Sequence, residues 1–118
     1  MAEEKRFETR LKKILKDRGA WYLKTFSDGI QRAGVPDLLV CYKGHFIAIE
    51  VKSERGVPTQ LQLIEIREIK KAGGYAFVIR PSNLDDLIDL LDKIDLVSEK
   101  LKRSLNDKGT GEQNKQTR

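Results

Sequence analysis

Cysteine, histidine, methionine and tryptophan occur once each in this chain of 118 residues, and proline three times. One cysteine excludes an intrachain disulfide scaffold. Its position mid-strand at Cys41 speaks against a cysteine-ligated zinc site and for a small core residue in a reducing compartment. The only histidine, His45, sits beside a turn and far along its strand from the acidic residues, which makes it a poor catalytic candidate. No apolar run approaches the roughly 18 residues that a membrane span needs. The N-terminus, Ala2-Glu3-Glu4-Lys5-Arg6, has no signal-peptide layout. A cytoplasmic protein without membrane attachment is therefore expected. No internal repeat is present, and no nucleotide cofactor is expected.

Charge is plentiful. Lys and Arg outnumber Asp and Glu by 23 to 18, a formal net charge of +5. This modest excess fits nucleic-acid binding and is shared by many ordinary solvated surfaces. The length suits one domain able to bury about two-thirds of its unfolded surface. That domain is expected over residues 1–105, followed by a polar, disordered tail over 106–118 that has no apolar residue.

Two apolar runs meet at Lys43-Gly44 in the stretch Gly34 to Lys52 and read as a β-hairpin. With those two residues central to the turn, Tyr42 faces His45, Cys41 faces Phe46, Leu39 faces Ala48 and Asp37 faces Glu50. Alternation puts Asp37, Leu39 and Cys41 on one face with Phe46, Ala48, Glu50 and Lys52. Leu38, Val40, Ile47, Ile49 and Val51 occupy the other. Both faces are largely apolar, so the sheet should be covered on both sides. Opposed carboxylates about 5 Å apart are destabilising without a reason, and a divalent cation is the simplest one. Mg²⁺ takes one or two carboxylates plus waters and phosphate oxygens. Asp37, Glu50 and the Val51 backbone carbonyl are its candidate ligands, with Lys52 beside them to hold a water or a phosphate oxygen. This is the chemistry of a phosphodiester hydrolase. The plain alternative is a half-buried hairpin with charges at its solvated end.

The flanking chain supplies an α/β frame. Residues 3–18 carry Phe7, Leu11, Ile14 and Leu15 at helical spacing and stop at Gly19. Glu8 lies at the edge of that stripe, able to point toward the sheet or to pair with Lys12 at i, i+4. Residues 20–26 read as a first strand, with Trp21 expected to pack. The loop Ser27 to Gly34 lies beside the acids, where Gln31, Arg32 and Lys24 are candidate phosphate contacts or ordinary solvated residues. Thr59 reads as the N-cap of a helix to about Ala72, ended by Gly73-Gly74 and followed by a strand over 75–79. Gln62 falls in the first turn of this helix on its buried side, toward the site or in local bonds only. Ser82 reads as a cap for further helix through Leu105, in one piece or two.

Pro36-Asp37, twelve intervening residues and Glu50-Val51-Lys52 resemble the PD-(D/E)xK nuclease signature. Gly34-Val35-Pro36-Asp37-Leu38-Leu39, Thr59-x-x-Gln62 and Gly73-Gly74 resemble its VRR-NUC branch, over roughly residues 5–80. The resemblance implies a restriction-endonuclease-like αβββαβ core with a mixed sheet flanked by helices, plus C-terminal helix. It implies catalytic roles for Glu8, Asp37, Glu50, Lys52 and Gln62. Glu8 would act through water or a second ion, with Glu4 as its fallback, and Gln62 would lie near Lys52. Stand-alone, phage-type members imply a Mg²⁺-dependent endonuclease, with Mn²⁺ able to substitute, that cuts branched DNA such as Holliday junctions as a homodimer. The apolar stripe through Ile94, Leu101 and Leu105 is the candidate interface, with packing on the domain's own sheet as the alternative. A module that keeps the fold to bind nucleic acid or protein and cuts nothing is the second function class.

Overall fold

The computed structural model describes residues 2–26 and 32–107. Helix α1 (Ala2–Asp17) buries Phe7, Leu11 and Leu15, which recur every four residues and so fall on one face. Glu3 and Glu4 in its first turn and Lys16 in its last complement the helix dipole. Gly19, at φ +82°, reverses the chain. Four strands follow: β1 (Trp21–Lys24), β2 (Leu38–Tyr42), β3 (His45–Val51) and β4 (Tyr75–Ile79). They form one sheet in the order β1-β2-β3-β4. The first two pairings are antiparallel. The β3–β4 pairing is parallel, because helix α2 (Gln60–Lys71) carries the chain back between them.

The hairpin register is the expected one, with Tyr42 opposite His45, Cys41 opposite Phe46 and Leu39 opposite Ala48. Both turn residues are left-handed, Lys43 at φ +48° and Gly44 at φ +86°. This is the backbone that a two-residue hairpin needs to match strand twist. A Cβ at Gly44 would meet nothing, so the cost of a side chain there is conformational only. Gly44→Val is expected to lower stability by about 1–2 kcal/mol, read as a fall in melting temperature. An unchanged melting temperature would contradict a tight turn.

Alternation along the strands builds two cores. Leu38, Val40, Tyr42, Ile47, Ile49, Val51 and Ile79 pack with α1 and with Leu87, Leu91 and Ile94. The latter three belong to α3 (Leu84–Asp107), a single unbroken helix. On the other face Ala48 and Ala76 pack under Ile66 of α2. Only part of this face is covered. Cys41 is exposed, contrary to the core position expected for it, and Trp21 is 61% exposed rather than packed. Both lie in one row with Phe46, since Trp21 pairs with Cys41 and Cys41 with Phe46, and α2 does not extend over that row. Ile94, expected in an interface stripe with Leu101 and Leu105, is buried in the domain's own core, whereas Val97, Leu101 and Leu105 further along α3 are exposed.

Polar contacts hold α3 to the sheet. Asp95 accepts a hydrogen bond from the Tyr42 hydroxyl at 2.6 Å and pairs with Lys43 at 2.8 Å, while Arg18 pairs with Asp92 at 2.7 Å. The helix start is not capped by the Ser82 side chain as the sequence suggests. A 3-10 turn over Pro81–Asn83 precedes α3, the Asn83 side chain accepts from Arg80 N–H, and Glu54 accepts from Ser82 N–H.

Candidate active site at the end of the hairpin

Asp37 immediately precedes β2, and Glu50 lies near the end of β3, one step beyond the Leu38–Ile49 pair. Register alone therefore brings the two carboxylates together. Asp37 Oδ2 accepts a hydrogen bond from Val51 N–H at 2.9 Å, which fixes the carboxylate over the end of β3. Thr25 locks the same segment from the opposite side. Its N–H donates to the Asp37 carbonyl at 2.8 Å and its hydroxyl to the Pro36 carbonyl at 2.8 Å. Thr25 is buried, and nothing in its sequence context marks it. Gly34, at φ +91°, lets the approach loop lie on α2; a Cβ there would fall 2.6 Å from the Leu61 carbonyl oxygen.

Glu50 is 2% exposed, and its Oε1 has no hydrogen-bond partner among the described residues. Desolvation by burial, reinforced by the charge of Asp37 and opposed by Lys52, pushes its carboxyl up to about 8 from an ordinary 4.5. The Lys52 ammonium stands 3.6 Å from Glu50 Oε2. Two carboxylates converge here, each with one lysine at 3.6 Å, Lys52 on Glu50 and Lys24 on Asp37, and the buried Glu50 keeps one oxygen without a partner among the described residues. Two carboxylates and a backbone carbonyl are the oxygen donors that a hard divalent cation takes, and Asp37, Glu50 and the Val51 carbonyl could hold one. Among the described residues no group of three or more His, Cys, Asp or Glu side chains converges. Water and substrate oxygens would then complete the shell.

Glu8 is placed differently. It faces the sheet and pairs with Lys24 at 2.8 Å and with Lys12 at 3.1 Å. Burial pushes its carboxyl up, but the two lysines outweigh this and hold it below its ordinary value. Lys24, proposed from sequence as a phosphate contact, bridges Glu8 to Asp37 Oδ1 at 3.6 Å. Burial lowers the Lys24 ammonium, and the two carboxylates more than restore it. Arg32 is engaged by both Glu65 oxygens at 2.7 and 3.0 Å, and Gln31 lies outside the described residues. The Gln62 side chain is taken by a capping box. It accepts from Thr59 N–H at 2.8 Å while Gln62 N–H donates to Thr59 Oγ1 at 3.1 Å. Among the described residues it makes no hydrogen bond to Lys52.

Arg80 is a further residue that sequence patterns do not reveal. Its guanidinium donates to the carbonyls of Ser53, Glu54 and Gly56, gathering the loop that follows Lys52. Gly56 in turn lies against the Lys52 stem, where an added Cβ would stand 3.2 Å from Lys52 Cδ. Arg80→Ala is expected to cost about 1–3 kcal/mol and to speed amide hydrogen exchange across residues 53–56. Unchanged exchange there would show that the loop holds itself.

The sequence model of the family described as archaeal Holliday junction resolvase (Hjc) matches residues 2–79. The chain belongs to this family. A solved structure named "VRR_NUC domain" is 32% identical, covers 74% of this chain and 95% of its own length, and superimposes with a TM-score of 0.64. Membership of the VRR-NUC branch of the PD-(D/E)xK fold follows, with the mixed four-stranded sheet, flanking helices and C-terminal helix described above. The structure of Hjc from Archaeoglobus fulgidus, a Holliday junction resolvase, is 22% identical over 64% of this chain and 67% of its own, with a TM-score of 0.49. No protein with a curated description matches the chain. Among the described residues no helix is long and apolar enough to cross a membrane.

Proposed function

We propose that this Hjc-family protein is a Mg²⁺-dependent endodeoxyribonuclease that cuts branched DNA in the cytoplasm, with the Holliday junction as its principal substrate. The observation that carries the chemistry is the buried, half-unpartnered Glu50 beside Asp37 at the end of the hairpin. A bound Mg²⁺ would supply Lewis acidity and charge neutralisation at the scissile phosphate, and Mn²⁺ would substitute for it. Asp37 and Glu50 would hold the cation. Lys52 orients the attacking water or a phosphate oxygen, with its stem set by Gly56 and the Arg80-bound loop. Glu8 holds Lys24 at the rim, where an ammonium can meet the phosphate next to the one being cut.

Resolution of a four-way junction needs two matched cuts, and a two-fold dimer supplies two matched sites. Among the described residues, the α3 stripe of Val97, Leu101 and Leu105 and the sheet row of Trp21, Cys41 and Phe46 are exposed apolar surfaces available for self-association. Light scattering over a dilution series of Leu101→Glu and Phe46→Glu identifies which one is used.

Cleavage of four-way junction, nicked, single-stranded and duplex DNA, each with Mg²⁺ and with excess EDTA, tests the function. Metal-dependent, paired incision of the junction is expected. Cleavage undiminished in EDTA overturns the metal role. Equal rates on linear duplex and junction, from a monomer, point to a general nuclease. Tight binding without cleavage in any metal favours a non-cutting module.

A further inference from the structure

A cleft lies between α1 and the end of β1, and Lys24 in its wall pairs with Asp37. It is lined by Glu4, Lys5, Glu8, Lys12, Lys24 and Phe26 and has a volume of about 390 Å³. Phe26 is 65% exposed at its mouth. A single exposed phenylalanine is ordinary on a protein surface, so exposure by itself decides nothing. Its surroundings are what distinguish it. Lys24 Nζ stands 5.9 Å from the Phe26 ring centroid and 3.6 Å from Asp37 Oδ1, so one ammonium links the ring to the acid pair. The preceding residue, Thr25, is hydrogen-bonded to the Asp37 and Pro36 carbonyls, which ties the backbone beside Phe26 to the same segment.

We propose that this cleft takes one unpaired nucleobase, stacked on the exposed ring of Phe26, with the adjoining backbone phosphate drawn to Lys5 and Lys12. The inference rests on the nuclease reading above. A cleft meant only for phosphate would carry cations alone. This one mixes three lysines with two carboxylates and an aromatic face, which suits a base that is flat and apolar on its face and polar at its edge. Bases within a continuous duplex have both faces covered by their neighbours, and only a nucleotide splayed out at a branch or an end can offer one. Phe26 therefore selects DNA at a branch point without reading sequence, because every base has a face to stack. The short path through Lys24 limits the stacked base to a nucleotide close to the scissile phosphate.

The test is a cycle between protein and DNA. Junctions carrying one abasic position, moved a nucleotide at a time along each side of the cut, are titrated by equilibrium binding in Ca²⁺ with wild-type, Phe26→Ala and Phe26→Trp proteins. Wild type is expected to lose affinity on the order of tenfold at one abasic position near the cut. Phe26→Ala should lose a similar factor on the intact junction and nothing more at that position, and Phe26→Trp should restore wild-type behaviour. Phe26 is exposed, so melting temperatures should be unchanged. Full affinity of Phe26→Ala for the intact junction, or an abasic penalty that adds to its loss in full, overturns the stacking site. Junction cutting by wild type with no abasic penalty at any position overturns the site and leaves the nuclease reading standing. A wild-type protein that neither binds nor cuts branched DNA overturns both.

Discussion

Asp37→Asn, Glu50→Gln and Lys52→Ala are each expected to slow single-turnover junction cleavage by about two to four powers of ten. Binding of the same junction in Ca²⁺ should fall far less. The three changes act on different parts of the chemistry. Asp37 and Glu50 face each other at the hairpin end, and neutralising either removes half of the charge that would hold the cation. Lys52 stands 3.6 Å from Glu50 with its stem packed along Gly56, and its removal takes away the group proposed to orient water. Affinity for DNA comes mainly from phosphate contacts spread over the surface, so it should survive. Ca²⁺ is expected to support binding without turnover, because its looser coordination positions water poorly. Full-rate cleavage by Asp37→Asn would sink the assignment of the metal site.

Metal-free protein is expected to lose stability as pH rises from about 5 to about 8, and Glu50→Gln should remove most of that loss. The folded protein holds the Glu50 carboxyl near 8, above its ordinary 4.5, because burial and Asp37 penalise the charged form. The folded state therefore binds a proton that the unfolded chain has already released. Its contribution is complete below about 4.5 and drains away as pH climbs through the folded value, by at most about 1.4 kcal/mol per unit and on the order of 5 kcal/mol in all. Glutamine is uncharged at every pH and has nearly the same shape, so its stability should be flat through this window. Mg²⁺ held at the proposed site would neutralise the same charge. At pH 8 it should raise the melting temperature of wild type clearly and that of Glu50→Gln little. Melting curves at pH 5, 6.5 and 8, in EDTA and in Mg²⁺, measure all of this. An equal Mg²⁺ shift in both proteins would place the cation elsewhere.

Local chemistry determined a large part of the molecule before any packing was known. Lys43-Gly44 sets the turn, the turn sets the register, and the register alone brings Asp37 opposite Glu50. Thr59 and Gly73 bound α2 through caps built from neighbouring residues, and period-four spacing marks the buried face of α1. These features rest on interactions within a few residues or across one tight turn, so a linear pattern carries them. Tertiary structure alone decided which apolar strand residues are covered. Cys41, Trp21 and Phe46 alternate like core residues, yet α2 packs over Ala48 and Ala76 and leaves that row open. Pairing of long side chains was equally invisible. Glu8 has Lys12 nearby in sequence, but its shorter contact is with Lys24 on another element; Arg80 closes its loop from 24 to 27 residues away. Gln62 went to its own helix cap, because a backbone donor three residues back lies within immediate reach. Short-range geometry is written in the order of residues. Coverage and charge pairing depend on where whole helices come to rest, and only the packed structure settles them.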